Sequence, residues 1–144
     1  MRLKLLRFIA LFVILFGCKI RETKYDRLKL IDKYSKNYTF EIDSKKSKIE
    51  NIFLDKENIK HVRVNKLDEK VIIEQNEKRK LTELSEFIKD SITLIVIDGI
   101  PFDKTSSKNV SIDLKAIENM EILKDIGNIS LCRSHKKVLL IKTK

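Results

Sequence analysis

The chain has 144 residues, with 31 Lys plus Arg against 21 Asp plus Glu for a net charge of +10, and is 36% charged and 42% hydrophobic. That is enough for one small domain or two half-sized units, and the hydrophobic fraction excludes wholesale disorder. Three Gly, one Pro, no Trp and two Cys exclude a collagen-like repeat, a disulfide-dense scaffold and a Pro/Gly low-complexity chain; with two His, little remains for a multi-ligand metal site or a Gly-rich phosphate loop. No cofactor is expected, and catalysis is disfavoured.

At the amino end Arg2, Lys4 and Arg7 precede an apolar run, residues 8–16, that closes at Gly17 and Cys18. This is the layout of a signal peptide, residues 1–17. A spanning helix needs roughly 20 apolar residues, more than this run supplies. Leu15, Phe16, Gly17 and Cys18 resemble a bacterial lipobox. The resemblance implies that Cys18 takes a diacylglyceryl group and becomes the new amino terminus. At about 0.8 kcal/mol per buried CH₂, two or three acyl chains hold a domain stably at a membrane. Lys19 stands where an Asp would signal inner-membrane retention in some bacteria, which favours the outer membrane. The simpler alternative is an ordinary cleaved signal with an incidental Cys18.

Loss of residues 1–17 removes Arg2, Lys4 and Arg7 and leaves a net charge of +7. A basic domain on a lipid tether is drawn to anionic headgroups or polymers by roughly 1 kcal/mol per cation near the surface. Nucleic acid is not an expected partner, because the lysines interleave with Asp and Glu and form no aromatic-studded basic stripe.

Residues 18–36 are crowded with charge, with Leu28, Leu30 and Ile31 among them, and read as a tether holding a helical turn or two. From residue 38 the alternation of Tyr38, Phe40 and Ile42 with Thr39, Glu41 and Asp43 predicts a half-buried strand. Residues 49–53 read as a short strand or turn. Asp55 is placed to cap a short helix through Ile59. Val62 and Val64, then Val71 to Ile73, predict a hairpin around a polar turn. Leu81, Leu84, Phe87 and Ile88 predict an amphipathic helix over residues 80–89 packed on a sheet face.

Residues 92–97 are nearly all β-branched or leucine and predict a central strand buried on both sides, ended at Asp98, Gly99, Ile100 and Pro101. The Asp-Gly pair tolerates a tight turn, and Pro101 lacks a ladder donor, so pairing is expected to stop there. Residues 103–109 read as a polar loop. Asp113 starts a second capped turn, followed by a strand through Met120, Ile122 and Leu123; Val138, Leu139, Leu140 and Ile141 supply a last one.

Two of these segments share a pattern: Asp55, Ile59, Val62, Val64, Lys66 and Asp113, Ile117, Met120, Ile122, Lys124 have identical spacing. Both read as a capped turn leading into an amphipathic strand, as an internal duplication would give. Cys132 and His135 have the gap of a metal pair, but only the distant His61 could join them. A buried small hydrophobe is the simpler reading of Cys132. As nucleophile and base, Cys132 with either histidine lacks a residue to orient the base.

The last third, residues 94–144, resembles the plug domain of TonB-dependent outer-membrane receptors. Three motifs carry the resemblance, in order: the strand ending Asp98, Gly99, Ile100, Pro101; the stretch Ile117, Glu118, Asn119, Met120, Glu121, Ile122, Leu123, Lys124, Asp125; and the strand Val138, Leu139, Leu140, Ile141, Lys142, Thr143, Lys144. Leu131, Cys132 and Arg133 stand where that family has a Tyr-Gly turn, and Lys137 where it has a glycine. A chain of 144 residues has no room for the receptor barrel. The resemblance therefore implies a free-standing plug-like module that meets a partner rather than a transporter.

The expected fold is α+β, a small mixed β-sheet with one or two short helices packed on it. The expected organisation is a signal peptide (1–17), a charged tether (18–36), a first β/α unit (37–90) and a plug-like β/α unit (91–144). The expected function is non-catalytic: a lipid-anchored envelope protein joined to the membrane through Cys18 and meeting an outer-membrane or periplasmic protein. The alternative is a basic envelope protein that binds lipopolysaccharide or peptidoglycan, with steep salt dependence.

Overall fold

A computed structural model describes residues 20–88, 92–124 and 137–144. Twelve strands and one α-helix make three sheets among the described residues. In chain order they are β1 (Ile20–Thr23), α1 (Arg27–Tyr34), β2 (Thr39–Ile42), β3 (Lys45–Ser47), β4 (Ile52–Phe53), β5 (Ile59–Asn65), β6 (Lys70–Gln75), β7 (Thr82–Glu83), β8 (Leu94–Ile97), β9 (Ile100–Asp103), β10 (Ser111–Ile112), β11 (Ile117–Lys124) and β12 (Lys137–Thr143). Short 3₁₀ turns, five in number among the described residues, link them. The described residues thus make a small, sheet-rich α+β fold with mixed sheets and one α-helix.

Two sheets repeat one design. The first runs β1-β5-β6-β2-β3 and the second β11-β12-β8-β9. Without β1, the orders match strand for strand, and so do the directions. The outer hairpins β5/β6 and β11/β12 are antiparallel, the central pairs β6/β2 and β12/β8 parallel, and the hairpins β2/β3 and β8/β9 antiparallel. The two-residue turns of the latter hairpins have positive φ at both positions, 48° and 68° at Asp43 and Ser44, 49° and 83° at Asp98 and Gly99. That is the type I′ geometry whose twist suits flanking strands. Each turn aspartate docks on the adjacent parallel strand: Asp43 Oδ1 accepts from Gln75 N at 3.0 Å, and Asp98 Oδ1 from Thr143 N at 2.8 Å.

The repeated Asp motif is the clearest mark of duplication. Asp55 caps the 3₁₀ turn Lys56–Asn58 through Glu57 N at 3.1 Å, and Asp113 caps Leu114–Ala116 through Lys115 N at 3.0 Å. Each turn runs into the long strand of its unit, β5 or β11, as its sequence spacing predicts. Just ahead of the two caps, β4 and β10 pair in parallel, Ile52 with Ser111 and Phe53 with Ile112. With β7 on the other side of β10, this third sheet joins the units.

Each repeated sheet has its own core. The first packs Leu30 of α1 on Phe40, Ile42, Val62, Val64, Val71 and Ile73; the second packs Leu84 on Ile95, Ile97, Phe102, Leu139 and Ile141. Alternation along the strands places these residues on one face.

The structure corrects four expectations. Within 18–36, the described residues are part of the fold: Ile20–Thr23 pairs with β5, and α1, capped by Asp26, buries Leu30. Backbone pairing needs no apolar side chains, so a charged strand escapes a hydropathy pattern. The described part of the predicted helix over residues 80–89, residues 80–88, is not an amphipathic helix; β7 pairs with β10, and Leu84–Phe87 is a 3₁₀ turn. The three-residue spacing of Leu81, Leu84 and Phe87 matches the 3₁₀ period rather than 3.6. Strand β8 is fully buried on one face only, through Ile95 and Ile97. Pairing also continues past Pro101, which lies opposite Val96 in the edge strand β9, where its missing N–H costs no ladder bond.

Candidate functional site

The residues singled out by sequence come together in the second sheet, where they are mostly structural. Asp98 sits at the β8–β9 turn and clamps the end of β12: besides the bond to Thr143 N, its Oδ2 accepts from Thr143 Oγ1 at 2.7 Å. Gly99 supplies positive φ at that turn, Ile100 and Pro101 begin the edge strand β9, and Val138 and Ile141 are buried on β12. Ile117, Glu118, Ile122, Leu123 and Lys124 belong to β11 at the opposite edge. Glu118 reaches Lys142 Nζ at 2.7 Å, and its carboxyl is held below its ordinary range by the hydrogen bond and charge of that lysine. Lys144 turns back to Glu57 of the first unit at 3.1 Å. Cys18, Asp125, Cys132 and His135 lie outside the described residues.

His61 lies on β5 with Nδ1 3.1 Å from Glu22 of β1. Among the described residues, no three His, Cys, Asp or Glu side chains gather with metal-binding geometry.

Two features had no clear sequence signal. Arg79 joins the twin caps: Nη1 donates to Asp55 Oδ2 at 2.9 Å and to Asp113 Oδ2 at 3.4 Å, while Nη2 reaches Glu77 at 3.2 Å. Burial pulls its pKa down, but the bonds to Asp55 and Glu77 and the charge of Asp113 outweigh that and raise it. The two aspartates are 3% and 2% exposed, so the guanidinium answers carboxylates that water scarcely reaches. Only the identical spacing around the aspartates pointed toward this juxtaposition. Arg27 likewise links α1 to the central sheet, donating from Nε to Ile52 O at 2.9 Å and from Nη2 to Glu50 O at 2.6 Å, with its guanidinium 3.8 Å from the Phe53 ring centre. Beside it, burial pushes the Tyr25 hydroxyl up to about 12.

The second feature is a largely apolar groove of about 580 Å³ along the core-side face of β11, lined by Phe87, Ile92, Leu114, Met120, Ile122 and Leu139 together with Thr82 and Glu86. Met120 and Ile122 are 42% and 46% exposed, whereas Val62 and Val64, their counterparts in the first unit, are 2% and 1% exposed. The groove offers shape and apolar contact but no converging catalytic groups. Among the surface lysines, Lys29 is answered by Asp26 at 2.9 Å and Lys70 by Glu41 at 2.8 Å.

Comparison with known proteins finds no matching family model, no matching curated protein and no matching solved structure.

Proposed function

We propose that this chain is a non-catalytic binding protein of the bacterial envelope, lipid-anchored through Cys18 with the outer membrane favoured, whose second unit is a free-standing module similar to the plug of TonB-dependent receptors. The observation that carries the reading is Cys18 itself, which closes an apolar run behind a basic amino end. The structure is consistent with a binding role: the groove beside β11 is apolar and open, as a surface for another protein requires. The plug-like motifs supply three strands of one sheet, β8, β11 and β12, with the turn after β8 tied to β12 by the Asp98–Thr143 bonds.

The test is the intact mass of protein extracted from membranes, beside a Cys18→Ala variant in the same cells. A chain starting at Cys18 with diacylglyceryl and acyl mass added, and a variant released from the membrane fraction, are the expected results. An unprocessed amino end, or a soluble unmodified chain, refutes the anchor.

A further inference from the structure

The two repeated units differ at the outer edge of their long strands. In the first, the outer edge of β5 is covered by β1 in antiparallel register, Thr23 opposite Val62, Glu22 opposite Arg63, Arg21 opposite Val64 and Ile20 opposite Asn65. In the second, β11 has β12 on one side and, among the described residues, no strand on the other. Of the other edge strands, β9 carries Pro101, β3 carries Lys45 and Lys46 and β1 is four residues long, whereas β11 is eight residues long, has no proline and carries Glu118, Glu121 and Lys124. We propose that β11 receives an extended segment of another protein as an antiparallel strand, with a basic residue opposite Glu121 and apolar residues opposite Met120 and Ile122.

Charge selects this occupant. The spacing from the twin caps equates Val62, Arg63 and Val64 with Met120, Glu121 and Ile122. In the first unit the added strand places Glu22 opposite Arg63, whose guanidinium is paired with Glu74 of β6, and 3.1 Å from His61 Nδ1. In the second, Arg63 is replaced by Glu121 and His61 by Asn119, so the polarity is reversed. Glu121 lies opposite Leu140 and forms no ion pair among the described residues, which leaves its charge to be answered from the outer side. A second copy is disfavoured in the register that sets Met120 against Ile122. Pairing β11 with itself so that Met120 meets Ile122 sets Glu121 against Glu121, and β1 of another copy would bring Glu22 there. Directly opposed like charges destabilise a strand pair. Residues opposite Met120 and Ile122 point to the same face as those side chains, so apolar residues there enter the groove. The backbone ladder supplies affinity, and the alternating side chains supply selectivity.

This inference deepens the binding reading and does not depend on lipid at Cys18, so failure of the anchor would leave it standing. The experiment titrates the full chain in detergent micelles with a labelled peptide, Ser-Thr-Val-Lys-Val-Thr-Ser, and with its counterpart bearing Glu for Lys. Binding of the basic peptide, about tenfold weaker binding of the acidic one and inversion of that order by Glu121→Lys are expected. Ile122→Pro should abolish both by breaking the edge; should it fail to fold, the exposed Glu121→Lys variant still decides. Absence of binding by either peptide, or a preference that Glu121→Lys leaves unchanged, overturns the proposal. A concentration-dependent dimer that Ile122→Pro dissolves overturns it in favour of a second copy.

Discussion

Asp113 does two jobs that can be separated. Its Oδ1 accepts from Lys115 N at 3.0 Å and so caps the turn into β11, while its Oδ2 lies 3.4 Å from Arg79 Nη1. Asp113→Asn keeps an acceptor for the cap and removes the charge; Asp113→Ala removes both. A cap is worth about 1 kcal/mol, and a hydrogen bond to a charged partner about 1.5–3 kcal/mol when well made. At 3.4 Å the Arg79 contact belongs at the low end, and Arg79 keeps Asp55 and Glu77. The expected losses are therefore about 1–1.5 kcal/mol for Asn and about 2–3 kcal/mol for Ala. Urea unfolding of the full chain followed by circular dichroism measures both. If Asn costs as much as Ala, the cap contributes nothing and the reasoning fails. The double variant Asp55→Ala/Asp113→Ala should depart from the sum of the singles, because both carboxylates share one guanidinium. Arg79→Met should cost more than either single aspartate change, since it strands two buried carboxylates at once.

The hairpin turns make a reciprocal pair: Ser44, with φ of 68°, holds a conformation that glycine adopts freely, so Ser44→Gly should stabilise the chain, and Gly99→Ser should destabilise it by about 1 kcal/mol. Equal shifts of the same sign in thermal melts would show that the turns do not carry the strain assigned to them. Because Tyr25 is raised to about 12 from an ordinary value of 10.0, the folded state keeps a proton that the unfolded state releases. Stability should fall as pH rises from about 10 to 12, and Tyr25→Phe should flatten that slope. A slope unchanged by Tyr25→Phe in alkaline unfolding curves would assign it to other groups.

Legibility from sequence followed the physics of each segment. Strands with one buried face, such as β5 with Val62 and Val64, announce themselves by alternation. The caps at Asp55 and Asp113 were legible because a cap is local, made by a side chain and amides two residues away. Strand β1 was not, since Ile-Arg-Glu-Thr joins the sheet through its backbone ladder and all four residues are exposed. The turn at Leu84–Phe87 was misread because apolar residues three apart satisfy both a short 3₁₀ segment and the edge of a helical stripe. Of the candidate site, Glu121 and Met120 stood within a recognised motif, but their significance lay in a comparison with Arg63 and Val62 across the fold. No window of contiguous sequence contains that comparison.

The asymmetry between the units follows from what precedes each. Ahead of β2 the chain has room for both an edge strand and the helix α1, and the two together cover β5 and bury Val62 and Val64. Ahead of β8 the corresponding stretch is engaged differently. Thr82–Glu83 is paired to β10 in the central sheet, and Leu84 takes the core place that Leu30 holds in the first unit. The stretch that joins the halves is thereby used up at the seam, and among the described residues nothing remains to cover β11. The second sheet repeats the order of the first but leaves an edge that keeps apolar side chains at the positions that are core in the other. Such an edge invites association unless its charge restricts what can pair, and Glu121 provides that restriction.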